Sequence, residues 1–326
     1  MDTRKLVGTL IALCLLALVV WYFVARASFL EYALSKSRSQ SANTEPGNME
    51  LRERGTALLH GINCPIDKAA AEQMFRQAYE NGDKLAGGQL YMILRDKPNN
   101  PEQWKSVKAL WDEYKWHVAT EAYHGNPEAR YLWCMRNHSF ANENPDVVRS
   151  IREELPEACR SGYPPALYMR GYLLNKGSVW DKDLDEATRW FRATHEAGCT
   201  RGTGGMGIVY SQQDYSGYDP QLALDFLRQA GNRGHDWALL RLGDMHAAGL
   251  GIEPDPPLAR EYYRRSAESG STFAMIKLSL MLMRGEGGDI DLPQARSYLD
   301  AALSYGDSGR NQDALAELEK LEDGNK

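Results

Sequence analysis

The residues with the most chemical promise lie in the middle of the chain. Gly202-Thr203-Gly204-Gly205-Met206-Gly207 has the glycine spacing of a dinucleotide-binding turn, whose backbone N–H groups cradle a pyrophosphate. That use requires a strand before the glycines, a helix after them and an acidic residue about 20 positions on. The segment before them reads as a helix, so no cofactor is expected. Asp181, Asp183 and Asp185 alternate as in a calcium loop, but the sixth and twelfth places, which need Gly and Glu, hold Glu186 and Arg192. His195 and Cys199 are four apart, a spacing that puts two metal ligands on one helix face, and no second pair completes a tetrahedral site. No Ser, His and Asp set lies in a strand–turn–helix context, and no glycine loop ends in Lys-Ser or Lys-Thr. The expectation is a chain with no metal, no cofactor and no enzymatic activity.

The elements that would position any such residue can be read from composition and periodicity. The chain has 326 residues, 43% of them hydrophobic and 25% charged, a balance that folds. A net charge of −6 without a basic block argues against a nucleic-acid partner. Residues 1–5 form a short basic segment containing Arg4 and Lys5. Residues 6–25 carry no charge and are long enough to cross a membrane as a helix, with Trp21 and Tyr22 near the far end. Ala25-Arg26-Ala27 has the look of a signal-peptidase site, but the apolar stretch exceeds the roughly 7–15 residues of a cleaved signal, so a retained anchor is expected. Residues 26–48, rich in Ser, Asn and Gln from Ser35 on, read as a flexible tether. Positive charges flank the span almost equally, but an anchor this near the start exports the rest of the chain. This places residues 49–326 in the periplasm of a Gram-negative host, on a single-pass inner-membrane protein; cleavage would leave a soluble periplasmic domain.

Self-similarity is the dominant signal. Gly82, Gly125, Gly162, Gly198, Gly234, Gly270 and Gly306 each end an amphipathic segment, at intervals of 43, 37, 36, 36, 36 and 36. Four residues on come Ala86, Ala129, Ala166, Gly202, Ala238 and Ala274, and nine on come Tyr91, Cys134, Gly171, Gly207, Gly243 and Ser279. Ala71, Ala187, Ala223, Ala259 and Ala295 precede the closing glycine by eleven places, and Trp190, Phe226, Tyr262 and Tyr298 by eight. The same phase run backwards recovers Gly55 and Gly61, making seven repeats. Small residues on one side of a first helix permit close helix packing. Gly61, Gly177, Gly249 and Gly285 fall where that helix should end in a left-handed residue. Each helix hairpin leaves an apolar face that only a neighbour can cover, so the predicted fold is an all-α solenoid of about seven hairpins with a C-terminal cap. Two irregularities are expected: a disturbed first helix at the glycines of 202–207, each costing roughly 1 kcal/mol relative to Ala, and an irregular loop within 94–113, where residues are inserted.

These positions resemble the Sel1-like repeat family, whose unit reads small-xxx-Leu-Gly-xx-Tyr-xx-Gly followed by Asp-xxx-Ala-xx-Trp. The resemblance covers roughly residues 46–326 and implies a scaffold that binds protein. Some secreted members tie one hairpin to the next through a Cys near the end of the second helix. Cys159 fits that place, but its expected partner near Ala166 or Leu167 is missing, leaving Cys159 with Cys134 or with Cys199 as pairings an exported domain would permit.

Off-pattern residues on the first helices are the candidates for partner contact on the inner face: Tyr131, Tyr168, Tyr172, Trp237, Arg241, Asp244, Phe273 and Lys277. The layout of anchor, tether and repeats is similar to that of periplasmic Sel1-like immunity proteins found beside type VI secretion phospholipase effectors. It implies a toxin of that class as partner. The alternative expectation is an envelope scaffold for a secretion, polysaccharide or cell-wall assembly.

Overall fold

The computed structural model describes the backbone of residues 46–95, 101–141, 144–305 and 309–324. The basic segment, the span and most of the tether read from the sequence lie outside these residues. Among the described residues there are fifteen α-helices, and none is long and apolar enough to cross a membrane.

Seven hairpins run in order: α1 (Pro46–His60) with α2 (Lys68–Glu80), α3 (Lys84–Leu94) with α4 (Pro101–Tyr123), α5 (Pro127–Asn137) with α6 (Pro145–Arg160), and α7 (Pro164–Lys176) with α8 (Leu184–Glu196). They continue as α9 (Thr200–Tyr210) with α10 (Pro220–Asn232), α11 (Asp236–Ala248) with α12 (Pro256–Glu268), and α13 (Thr272–Arg284) with α14 (Leu292–Ser304). A final helix, α15 (Gly309–Gly324), packs on α13 and α14 and caps the stack.

Local chemistry sets the helix ends. Asp67, Asp83, Asp183, Asp219, Asp255 and Asp291 precede helices and accept backbone N–H bonds from the first turn, with Pro at the start of several helices. Gly177, Gly249 and Gly285 close their first helices at φ of 72°, 64° and 68°, as the repeat predicts, and Gly61 has φ of 68°.

In four of the seven hairpins a glycine at one repeat position of the first helix lies against a large side chain of the second, a ring in three of them. A Cβ on Gly55 would lie 2.8 Å from the Phe75 ring, on Gly171 2.8 Å from Phe191, on Gly207 2.7 Å from Leu227 and on Gly243 2.4 Å from Tyr263. The side chain that seals these four hairpins is the residue after the aromatic position of the repeat, and Phe75, Phe191, Leu227 and Tyr263 are all buried.

Two local expectations are corrected. Helix α9 is regular throughout, with Gly202, Gly204, Gly205 and Gly207 all buried. Cβ atoms there would fall on His195 and Phe191 backbone, the His235 ring, the Phe191 ring and Leu227, so tertiary packing made possible by the glycines outweighs their low helix propensity. The insertion in the second repeat lengthens a helix: α4 has 23 residues, and its Trp111 is buried against Tyr91 at 5.1 Å.

Candidate partner-binding face

The turns that lead into the first helices form a row, and the first hairpin lies along it. At one end Arg52 of α1 pairs with Asp83 at 2.8 Å and with Glu128, which also accepts from Gln89 Nε2 at 2.7 Å. All four side chains are buried, so the two carboxylates and the guanidinium satisfy one another away from water. Further along, the His60 ring meets Tyr131 edge-on at 5.9 Å, and Cys199 Sγ donates to His60 O at 3.2 Å.

The chain between α1 and α2 pairs by its backbone with the later turns. Thr200 N–H donates to Gly61 O (3.0 Å), Asn63 N–H to Gly198 O (3.0 Å) and Ile66 N–H to Arg233 O (2.8 Å). Ile62 and Cys199 make an antiparallel bridge. Arg201 and Arg233 donate to the carbonyl oxygens of Leu59 and Cys64. Lys68 Nζ ends the contact, 2.8 Å from Asp236 Oδ2 and 3.3 Å from Ser269 O.

This arrangement divides the eight expected contact residues. Tyr131 is buried between His60 and Tyr163, and burial pushes its hydroxyl up to about 12. Tyr168 and Tyr172 are half-buried and stacked at 6.4 Å, with the Arg201 guanidinium 5.8 Å above Tyr168. Tyr131 belongs to the packing against the first hairpin, and Tyr168 and Tyr172 to the packing between repeats. The other five sit together on α11 and α13. Trp237 and Phe273 are 49% and 40% exposed, with ring centroids 5.5 Å apart. Arg241 donates to the Ser211 hydroxyl and carbonyl at 2.7 and 2.8 Å. Asp244 accepts from Tyr263 O–H at 2.8 Å and pairs with Lys277 at 3.0 Å. An exposed aromatic pair is thus framed by polar groups that already have partners.

The motifs of the chain's middle are absorbed by packing. Asp183 caps α8, Glu186 pairs with Arg170 at 3.2 Å and Lys182 with Asp214 at 2.6 Å, around a cleft of about 560 Å³ walled by Trp180 and Tyr215. His195 Nδ1 lies 2.8 Å from Thr203 Oγ1. No group of three or more His, Cys, Asp or Glu suited to a metal occurs among the described residues. Cys64, Cys134, Cys159 and Cys199 are free thiols; Cys159 donates to Ala166 O while Cys199 faces His60, and no disulfide joins Cys159 to Cys134 or Cys199.

Periodicity gave no sign of the first hairpin's path, because contacts spanning 139 to 201 residues have no counterpart in a 36-residue repeat. One signal was present: Glu128 and Arg201 stand at a helix position that holds Leu85 and Pro165 in neighbouring repeats. A charge in a buried slot requires a partner, and here α1 and the residue before its end provide one.

A family-level comparison matches the Sel1 repeat over residues 53–83, 164–198, 205–235, 238–271 and 272–307, together about half of the chain. No curated protein matches the sequence. Similar solved structures include the protective antigen c5321 of uropathogenic Escherichia coli, which displays an SLR fold: 20% identity, 84% of this chain, TM-score 0.47. This chain spans 64% of that protein, less than two thirds of its length. A Sel1 repeat protein from Oxalobacter formigenes is 18% identical over 91% of this chain and 90% of its own, with a TM-score of 0.45. The immunity protein PA5088 from Pseudomonas aeruginosa is 15% identical over 70% and 83% of the two chains, with a TM-score of 0.41.

Proposed function

The chain belongs to the Sel1 repeat family, and from that premise we propose that it is a non-catalytic solenoid that holds a client protein against α11 and α13. The observation that carries this reading is the exposed Trp237–Phe273 pair. Two large, half-exposed rings on adjacent first helices are the kind of residues that dominate binding energy at protein interfaces. Arg241, Asp244 and Lys277 are held by internal bonds, so they form a fixed polar rim that needs little ordering when a partner docks.

The client in this reading is an antibacterial effector of the phospholipase class delivered by a type VI system, and the protein confers immunity to it. Support comes from the order of parts in the sequence: an apolar span at 6–25, a polar tether and then repeats, the layout expected of an inner-membrane sentinel facing the periplasm. Growth competition tests it. A deletion strain should be outcompeted by its parent on a solid surface, the intact gene should restore competitiveness, and the Trp237→Ala/Phe273→Ala double variant should fail to rescue. If the deletion strain competes equally, the immunity reading falls and the protein-binding reading stands.

A further inference from the structure

One face of α1 is polar and buried along its length. Asn48, Arg52, Thr56 and His60 stand four apart, which stacks them on one side of the helix, and all four are buried. The apolar side of the hairpin lies elsewhere, with Ala71 and Phe75 of α2 packed on Leu90 of α3. The two ends of the polar face have different partners. Asn48 exchanges hydrogen bonds with Asn81, and Arg52 pairs with Asp83, both just past the end of α2. His60 and the residues after it reach instead to the turns that open α9 and α11.

At that far end the seam holds two histidines, one from each side. His60 is the last residue of α1 and His235 the residue before α11, and each is only 1% exposed. Neither ring nitrogen of His60, nor Nδ1 of His235, has a hydrogen-bond partner among the described residues. His60 faces the Tyr131 ring of α5. The start of α9 adds Cys199, whose Sγ donates to His60 O, and the Arg201 guanidinium, which donates to Leu59 O beside it. His235 lies against Gly204 of α9, where a Cβ would collide with Nδ1. The charges that act on His235 are Arg201, Lys68 of α2, and Asp236, which is already the partner of Lys68. A proton added to either ring would sit near cations and out of water, which is costly. Burial accordingly holds both rings below the usual histidine range.

We propose that the far end of the first hairpin, from His60 to Lys68, is a proton-operated latch on the turns before α9 and α11. The latch is closed while both histidines are neutral. Protonation of either ring favours an open form in which that ring is hydrated. The Asn48–Asn81 and Arg52–Asp83 ties, with the packing of Phe75 on Leu90, keep the near end of the hairpin in place. The face that α1 releases is polar, so water can satisfy it, whereas an apolar face would resist exposure. Each pH unit below about 6.5 multiplies the opening constant about tenfold for every ring buried neutral when closed and hydrated when open. Opening bares the Arg201 guanidinium, the Cys199 thiol and the carbonyl oxygens of Gly198 and Arg233. The surface offered to a partner therefore changes with pH, whichever client the solenoid holds.

Hydrogen exchange on the full-length protein tests the latch, with rates at each pH corrected for the intrinsic exchange of an unfolded chain. Between pH 7.5 and pH 5, protection of the Asn63, Ile66 and Thr200 amides should fall about thirtyfold or more, the factor that one such histidine supplies. Protection within α14, at the other end of the stack, should stay constant. The double variant His60→Gln/His235→Asn should keep its seam protection unchanged across the same range. Equal losses at the seam and in α14 would mean that the whole fold responds to acid, and would overturn the latch. Constant protection at the seam of the parent protein would overturn it as well. A loss that persists in the double variant would assign the effect to other groups and reject the two histidines. The comparison of seam with α14 needs no substitution, so the latch can fail even where the double variant does not fold.

Discussion

Lys68 Nζ lies 2.8 Å from Asp236 Oδ2 across 168 residues of sequence, and it fastens the first hairpin to the sixth. The ammonium is partly exposed and the carboxylate mostly covered, so the pair contributes about 1 kcal/mol or less. That is too little to hold the fold and enough to govern local opening. Lys68→Ala should leave the thermal midpoint almost unchanged. Hydrogen exchange at the Asn63 and Ile66 amides, which bond Gly198 O and Arg233 O, should speed up several-fold. Unchanged exchange there would show that backbone pairing alone fixes the segment.

Acid should loosen the same contact. His60 and His235 are almost fully buried, and neither ring nitrogen of His60 nor Nδ1 of His235 has a hydrogen-bond partner among the described residues. Burial, seconded by the Arg201 charge, holds His60 well below the usual histidine range. His235 is held down to about 4, chiefly by burial and also by Arg201 and Lys68, although Asp236 pulls the other way. The unfolded chain takes up the His235 proton near pH 6.5 and the folded chain only near pH 4, and the His60 shift has the same sign, so stability is complete above about 6.5 and falls as the pH drops below it. Urea unfolding at pH 5 should show a loss of roughly 2 kcal/mol from His235 alone relative to pH 7.5, and His235→Asn should flatten the profile.

The helices, their ends and the glycine-closed hairpins were legible in the sequence because each depends on residues within one repeat. Asp caps, left-handed glycines and small residues nine places into a first helix all act over short range. The binding face was only half legible. Tyr131, Tyr168 and Trp237 all read as off-pattern aromatics on first helices, yet His60 of α1 meets Tyr131, Phe191 and Arg201 pack on Tyr168, and Trp237 stays half exposed. The contacts between the first hairpin and the later repeats recur nowhere else among the described residues and leave no period to read.

Gly243→Ala tests the repeat's own packing rule. Alanine favours a helix over glycine by about 1 kcal/mol, so on propensity alone the change should stabilise α11. The new methyl would stand 2.4 Å from the Tyr263 ring, which is buried and fixed by its bond to Asp244. Overpacking of this kind costs about 1–3 kcal/mol, and a net loss of stability in chemical denaturation is expected. A gain would mean that the ring moves freely.

An uncleaved anchor at residues 6–25 that exports the chain after it makes two measurable demands. Alkaline phosphatase fused after Lys326 should be active, and the mature protein should keep Met1 in its intact mass. Activity with a shortened N-terminus would indicate a cleaved signal, and an inactive fusion would return the repeats to the cytoplasm.

Gly198 and Gly270 provide the cleanest comparison of seated and open turns. Both have positive φ, 78° and 89°, so alanine at either carries the same left-handed strain of about 1–2 kcal/mol. They differ in what lies above them: Asn63 covers Gly198, and nothing stands within 4 Å of a Cβ on Gly270. Asn63 is itself at φ of 56°, and its N–H donates to Gly198 O, so it cannot withdraw without giving up that bond. Gly198→Ala should therefore cost about 1 kcal/mol more than Gly270→Ala, the typical worth of one hydrogen bond, and should accelerate exchange at Asn63. Gly270→Ala should leave the first hairpin's exchange unchanged. Equal costs and equal exchange in the two variants would show that the first hairpin does not press on the turn row.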